Sequence, residues 1–128
     1  MFGKPHTMEM AGALSVHAAG RQAAIARNIA NADTPGYRTT DAVPFGETYR
    51  EATSGMRATR SGHLGAGDSP AGAELVDRPA LGAMSPNRNN VSLEAEMVAA
   101  AEVRRENDLA LAVYRSSLDI LRSSLGRR

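Results

Sequence analysis

Three histidines are the side chains of this chain that could most readily bind a metal or transfer a proton. His6, His17 and His63 lie far apart in the sequence, and none belongs to a His-x-x-x-His pair or has a carboxylate at metal-ligand spacing. Because a metal or acid-base site needs several such groups together, we interpret all three as structural or solvent-exposed residues. No metal is expected.

Acidic side chains near the C-terminus offer a second possible chemistry, general acid or base catalysis. The sequence around them is that of a helix without pocket-forming residues, so we expect solvated carboxylates at Glu94, Glu96, Glu102 and Glu106.

Serines and glycines give no better candidate. Ser116-Ser117 and Ser123-Ser124 have no base paired with them, and Gly65-Ala66-Gly67 lacks the Lys-Ser/Thr that follows a phosphate-binding loop. The sequence therefore predicts neither an enzyme nor a bound cofactor.

The composition favours a chain whose core is completed by partners. Among 128 residues there are no tryptophans, three tyrosines and two phenylalanines, and much of the apolar content is alanine. The net charge of +1 is too small to indicate nucleic-acid binding, and there are no cysteines for disulfides or thiol chemistry. No apolar run reaches the roughly 18 residues of a membrane span, and we expect no Sec signal peptide.

The N-terminal segment is predicted to be a helix from about Thr7 to Ala32. It is rich in helix formers, but Gly12 and Gly20 weaken it, each by about 1 kcal/mol relative to alanine. A narrow apolar stripe runs along it at spacings of three, four and seven, comprising Ala11, Leu14, Ala18, Ile25 and Ile29.

The C-terminal segment has the clearest periodicity. Apolar residues alternate at spacings of four and three, which predicts one long helix of about 33 residues that packs in a coiled coil. Asn90 or Ser92 could cap it, and Glu94 and Glu96 suit the positive end of its dipole. This predicted seam comprises Leu93, Met97, Ala100, Arg104, Asn107, Leu111, Tyr114, Leu118, Leu121 and Leu125.

Two polar residues interrupt the seam, and two interpretations remain open for them. Arg104 and Asn107 could set the register between neighbouring subunits, or they could face solvent or a polar channel. Glu102 and Glu106 are the local partners expected for either residue.

A turn is predicted where the first helix ends. Pro35 fixes φ near −65° and Gly36 accepts a positive φ, so Thr34 to Tyr37 is expected to form a type II turn, with the helix ending by about Asp33. The residues assigned to this turn motif are Asn28, Asn31, Thr34, Pro35, Gly36 and Tyr37.

The middle of the chain is poor in large apolar residues. Between Gly46 and Pro86 lie seven of the twelve glycines and three prolines, which predicts a loop-rich, partly disordered insertion. Short extended pieces such as Glu74-Leu75-Val76-Asp77 could pair with another strand.

The sequence from Asn28 to Arg38 resembles the segment that ends the N-terminal helix in the axial proteins of the bacterial flagellum, which form the rod and hook. It reads N-I-A-N-A-D-T-P-G-Y-R. Met56 to Leu64 and Asn89 to Met97 are similar to later stretches of that family. The short chain and the stretch from Thr34 to Phe45 look most like proximal-rod members. Between Gly65 and Arg88 no resemblance is found.

The resemblance implies a structural subunit of the proximal rod. It implies export by the flagellar type III pathway without a cleaved signal peptide, and a place in the periplasmic part of the basal body. The implied partners are other rod subunits, the adaptor between membrane ring and rod, copies of the chain itself and, in transit, the export apparatus. A cytoplasmic coiled-coil adaptor or export-chaperone-like protein is the alternative, since the seam alone fits both.

The expected fold is therefore all-α, with long terminal helices packed as a coiled-coil pair. We expect an N-terminal helix over residues 1–33, a turn and insertion over 34–90 and a C-terminal coiled-coil helix over 91–128. Besides the turn motif, the predicted assembly interface comprises Leu14, Ala18, Ile25, Ile29, Leu93, Met97, Arg104, Asn107, Leu111, Tyr114, Leu118, Leu121 and Leu125.

Overall fold

Two long helices carry the fold, as the sequence predicts. The computed structural model describes residues 6–54, 72–79 and 84–126. Along this part of the chain the elements are α1 (His6–Ala30), β1 (Thr40–Ala42), α2 (Phe45–Ser54), β2 (Leu75–Asp77) and α3 (Leu93–Ser124). The mainly helical fold with a small β element in the middle is confirmed.

Helices α1 and α3 run antiparallel. Thr7 lies beside Ser117 at one end of the pair, Ser15 donates to Asn107 along its length, and Asn28 donates to Glu96 at the other end. The apolar core between them is small and comprises Ala18, Ile25, Ala99 and Val103, with Ala100 beside it. Since burial contributes only about 25 cal/mol per Å² of apolar surface, this alanine-rich contact needs the support of polar interactions.

The start of α3 has a side-chain cap. Ser92 takes an extended conformation and its hydroxyl accepts a hydrogen bond from the Ala95 amide at 3.4 Å. The helix then continues for 32 residues, about 48 Å at 1.5 Å per residue. Arg122 in its last turn complements the negative end of the helix dipole.

The face of α3 that packs on α1 differs from the predicted seam. The buried residues of α3 are Glu96, Ala99, Val103 and Ala110, a stripe that lies beside the seam on the helix surface. By contrast Met97 of the seam is 69% exposed and Leu125 is 85% exposed. Much of the seam therefore remains uncovered in a single subunit.

A two-stranded antiparallel sheet packs on α1. Asp41 of β1 faces Val76 of β2 in the register, which confirms that the extended piece at Leu75–Asp77 pairs with another strand. The segment before β2 approaches α1 at Gly20, where an added Cβ would lie 2.9 Å from the Ala73 Cβ. This close approach explains a glycine in the interior of α1.

Helix α2 was not predicted from the sequence, because its residues were assigned to the loop-rich insertion. Its aromatic side chains pack on α1: the Phe45 ring lies 5.5 Å from the His17 ring, and the Tyr49 ring lies 6.1 Å from the His6 ring. His17 is buried, and its Nε2 lies 2.8 Å from the Val43 carbonyl oxygen. It is thus a structural residue.

Some sequence predictions concern residues outside the described ranges. These are the Met56 to Leu64 resemblance, His63, Gly65-Ala66-Gly67 and the disorder expected over the remainder of the insertion. In the part of the chain that the structure describes, no helix combines the length and apolar character that a membrane span requires.

Candidate assembly site at the end of α1

The predicted turn after α1 is present. Helix α1 ends at Ala30, Gly36 has φ +75°, and the Tyr37 amide donates to the Thr34 carbonyl at 3.3 Å. Side-chain hydrogen bonds also fix the residues that lead into the turn. Asn31 Nδ2 donates to the Arg27 carbonyl at 2.8 Å, and Thr34 Oγ1 donates to Asn31 Oδ1 at 3.1 Å. A positive φ at Gly36 strains any residue with a Cβ.

Asn89 fastens this turn to the start of α3. Its Nδ2 lies 2.8 to 2.9 Å from three backbone carbonyl oxygens, those of Asn31, Ala32 and Thr34. Its Oδ1 accepts from the Val91 amide at 2.8 Å, and the side chain is buried. One amide thus gives an additional donor to three carbonyls, two of which also accept from the Thr34 and Tyr37 amides, and fixes the residues leading into α3.

The loop that carries Asn89 contacts the turn a second time. The Gly36 amide donates to the Asn87 carbonyl at 2.9 Å. Arg88 holds a φ of 63°, a left-handed conformation that is uncommon outside glycine, between these two contacts. The turn and the loop therefore form one hydrogen-bonded unit.

Asn28 uses its full hydrogen-bonding capacity inside the protein. Its Nδ2 donates to the Thr40 carbonyl at 2.8 Å and to Glu96 Oε2 at 3.0 Å. Its Oδ1 accepts from the Thr40 amide at 3.1 Å and from the Tyr37 hydroxyl at 3.2 Å. Two donors and two acceptors are the most that an asparagine side chain offers. Asn28 therefore joins α1, the turn, β1 and α3.

Charged side chains extend this contact into a polar cluster, which we define as Arg21, Asn28, Asp41, Arg78 and Glu96. The Glu96 side chain is fully buried and pairs with Arg78, which also lies 3.4 Å from Asp41. Asp41 in turn pairs with Arg21 at 2.9 Å. Two carboxylates and two guanidinium groups alternate, so the buried charge is balanced.

The ionisation of Asp41 reflects these neighbours. Burial disfavours its charge, but hydrogen bonds from Arg21 and the Ala42 amide, with the nearby charges of Arg21 and Arg78, outweigh it and hold the pKa of Asp41 below its ordinary value of 3.8. The hydrogen bond to Asp41 likewise raises the pKa of Arg21 above its ordinary value, against the effect of burial. Both groups are therefore charged at neutral pH.

The ion pairs of Arg21 differ from those predicted from the sequence. The glutamates expected to serve Arg104 and Asn107 pair instead with Arg21, Glu106 at 3.3 Å and Glu102 at 3.9 Å. Asn107 accepts from the Ser15 hydroxyl at 2.9 Å, and Arg104 forms no ion pair with any described residue. The expectation of a solvated Glu96 was also wrong, because Asn28 and Arg78 hold it inside.

A groove lies beside the α1–α3 contact. It has a volume of about 580 Å³ and opens to the surface. Its lining consists of small side chains with polar groups, comprising Ser15, Ala18, Ala19, Gln22, Ala100, Ala101, Val103, Arg104 and Asn107. On α1 this surface lies away from His17 and Asn28, which face the sheet side.

The structure divides the predicted interface residues into three groups. Ala18 and Ile25 are each 1% exposed and form the intramolecular core, while Leu14, Asn107, Leu118 and Leu121 are half-buried. The exposed members of the set are Ile29, Leu93, Met97, Arg104, Leu111, Tyr114 and Leu125. Their contact with other subunits remains a prediction.

Several residues of this site were missed in the sequence. Arg21, Asp41 and Arg78 look like ordinary surface charges, and only their three-dimensional proximity reveals the polar cluster. The one usable signal was the run of asparagines at 87, 89 and 90 just before the α3 cap. Asparagine is a frequent side-chain partner of exposed backbone groups at turns and helix ends.

The described residues do not include any group of three His, Asp or Glu side chains placed to hold a metal ion. The site is instead a set of hydrogen bonds that fixes the directions of two long helices. Its chemistry is that of a rigid structural joint.

Comparison with known proteins assigns the chain to a family. The sequence profile described as "Flagella basal body rod protein" matches residues 11–38, which contain most of α1 and the turn. The flagellar basal body rod protein FlgB of Agrobacterium fabrum (strain C58 / ATCC 33970) is 36% identical over 101 residues, which cover 75% of each chain. The chain thus belongs to the flagellar basal body rod proteins, the family to which the turn and its two helices point.

Proposed function

We propose that this structural rod subunit belongs to the proximal rod, in the periplasmic part of the basal body. The observation that carries the proposal is the similarity to FlgB over three quarters of both chains, which includes the turn and extends beyond the family profile. Its proposed partners are other rod subunits, the adaptor between membrane ring and rod, and further copies of the chain. The proposed route is type III export without signal-peptide cleavage.

The proposed mechanism is mechanical. A drive shaft transmits torque only if each subunit resists twisting about its own joints. In this chain the polar cluster and Asn89 fix the ends of α1 and α3 against each other at 3 Å hydrogen-bond distances. The exposed part of the seam then provides the apolar surface for neighbouring helices, in the open contacts that build a tube.

The turn has a distinct part in this proposal. Pro35 and Gly36 direct the chain out of α1, and Asn28 connects the same point to β1. Residues after the turn therefore leave the helical pair at a fixed angle. We assign to this joint the placement of β1, and of β2 paired with it, beside α1.

Deletion of the gene in its native host tests the proposal, with isolated basal bodies imaged by electron microscopy. We expect membrane rings without a rod, and restoration of the rod by the reintroduced gene. A strain carrying the gene with a silent marker serves as the matched control. Intact rods in the deletion strain would contradict the proposal and favour a role off the rod, such as an adaptor.

A further inference from the structure

The loop that leads into α3 carries an arginine at a position that favours glycine. The Arg88 amide donates to the Ser85 carbonyl at 2.8 Å, and the Ser85 amide donates to the Asn89 carbonyl at 3.1 Å. With the φ of 63° at Arg88, these bonds define a three-residue loop, residues 86–88, whose last residue is left-handed. Glycine is the usual residue at that place, because a Cβ makes the left-handed conformation unfavourable.

The choice of arginine here is unusual for this chain. Within the described ranges, Arg88 is the only residue other than glycine that has a positive φ. Asparagine tolerates the left-handed region, and asparagines stand on both sides of Arg88, at 87 and 89. A side chain that is kept on an unfavourable backbone conformation points to a function of that side chain.

No contact within the subunit accounts for the Arg88 side chain. It is exposed, and its guanidinium group forms neither an ion pair nor a hydrogen bond with a described residue. By contrast, Arg21 and Arg78 each pair with at least two carboxylates of the same subunit. Arg88 therefore presents a cation with five unused hydrogen-bond donors at the surface.

The backbone below Arg88 is held in place, and the residues around it are partly apolar. The Gly36 amide donates to the Asn87 carbonyl at 2.9 Å, which fixes the loop against the turn. Exposed residues lie next to this contact along both segments, and we define them as the tip surface: Pro35, Met84, Pro86 and Arg88. Methionine and arginine are enriched in protein interfaces, and proline loses little side-chain entropy when it is covered.

We infer that the tip surface binds a neighbouring component of the rod, and that Arg88 pairs there with a carboxylate of that component. This inference rests on the proposed rod function and adds to it a contact outside the two long helices. A planar guanidinium group binds a carboxylate through two parallel hydrogen bonds, which fix orientation as well as position. The tip surface holds one cation, fewer than the clusters that bind lipid headgroups or nucleic acid.

Arg88→Gly separates the backbone conformation from the side chain. It removes the unfavourable φ, so the free subunit should unfold at the same or a higher urea concentration. It also removes the cation, so the variant should be depleted at least tenfold in purified rods when it is expressed with a differently tagged unaltered chain. Ser85→Gly is the matched control, because it adds a glycine to the same loop without changing the charge. This control should enter rods in proportion to its expression.

Two further variants of the same residue distinguish charge from conformation. Arg88→Asn accepts the left-handed conformation but has no charge, so it should be depleted like Arg88→Gly. Arg88→Lys keeps the charge and should be recovered in rods. Incorporation of Arg88→Gly in proportion to its expression would overturn the inference.

The lysine variant also identifies the partner group, because Lys4 is the only lysine of the chain. In rods that contain Arg88→Lys with Lys4→Arg, a carbodiimide joins the new amine to a touching carboxylate as an amide, with loss of water. We expect a product with the combined mass of this chain and another subunit, in which mass spectrometry finds residue 88 linked to an aspartate or a glutamate. A link within one chain, or no link at residue 88, would contradict the inferred contact.

The same preparations test the rod function separately. Absence of the unaltered tagged chain from purified rods would contradict the proposed function, and the inference with it. If the unaltered chain is present and Arg88→Gly accompanies it undiminished, the inferred contact alone is wrong.

Discussion

Asn28 and Glu96 are hydrogen-bonded across the α1–α3 interface, with 3.0 Å between Nδ2 and Oε2, and both side chains are fully buried. Sixty-eight residues separate them in the chain. Since the apolar contact between these helices is mostly alanine, this pair and its neighbours fix the relative position of the helices. Removing either partner leaves a polar group buried without its hydrogen bond.

Asn28→Asp should therefore destabilise the fold. At neutral pH the new carboxylate would face Glu96 and would no longer donate to the Thr40 carbonyl, at an expected cost of about 3 kcal/mol. Urea unfolding followed by circular dichroism measures the effect. Asn87→Asp is the control, because Asn87 is exposed and its Oδ1 accepts from the Asn89 amide, a role that aspartate keeps. Equal free energies of unfolding for the two variants would contradict the assigned role of Asn28.

Asn89→Ala should loosen the turn without unfolding the helices. It removes the donor to the carbonyls of Asn31, Ala32 and Thr34, at an expected cost of about 2 kcal/mol. Amide hydrogen exchange at Gly36 and Tyr37 should accelerate, while amides in the middle of α3 stay protected. Exchange at Gly36 that matches the unaltered protein would argue against this contact.

Gly36→Val should block incorporation into rods. The φ of +75° is costly for a side chain with a Cβ, about 1 to 2 kcal/mol and more for a β-branched one, although the space around the residue is open. Gly36→Asn should assemble better, since asparagine tolerates the left-handed region. Gly12→Ala is the matched control: it lies in α1 with open space around it and should stabilise the helix by up to about 1 kcal/mol. Normal swimming with Gly36→Val would count against the turn.

Acid should weaken the fold through Asp41. Its pKa is lower in the folded protein than the ordinary 3.8, so its contribution is present in full above about pH 4 and is lost as the pH falls through the folded-state pKa. Asp41→Asn should lower the free energy of unfolding at neutral pH. In a profile of this free energy against pH, the decrease on the acid side should also be smaller. Asp33→Asn, at an exposed position, should leave the profile unchanged. A profile for Asp41→Asn that is parallel to that of the unaltered chain would rule out this contribution.

Leu118→Asp should prevent incorporation into the rod by placing an unpaired charge in the apolar seam. Basal bodies purified from a strain producing a tagged variant provide the measurement. Ser116→Asp, exposed on the same turn of α3, is the control for the added charge and should be incorporated. Recovery of both variants in intact rods would show that the seam is not an interface.

The parts of the fold that local rules determine could be predicted from the sequence. Pro35 and Gly36 leave few conformations to the turn, and the four-three spacing with a cap at Ser92 predicts the long α3. The register of α3 on α1 could not be predicted in the same way. The strongest apolar periodicity belongs to the seam, whereas the intramolecular contact uses small residues and the carboxylate of Glu96.

The polar cluster escaped prediction for a related reason. Glu96 stands near the start of a helix, where acidic residues are usually solvated and favoured by the dipole. Its burial depends on Arg78, from a strand-flanking segment, and on Asn28, from the other end of the chain. Helix α2 was not predicted because it is short and contains Gly46, although Phe45 and Tyr49 stand at the four-residue spacing of one helix face.

The long separation between Asn28 and Glu96 has a consequence for the order in which the protein can fold. Ala18 and Ile25 have no core until Ala99 and Val103 arrive, so the first ninety residues cannot complete the structure by themselves. Closing so long a loop is entropically slow compared with forming local contacts. A chain that is synthesised from its N-terminus therefore completes this core only when its last quarter has emerged.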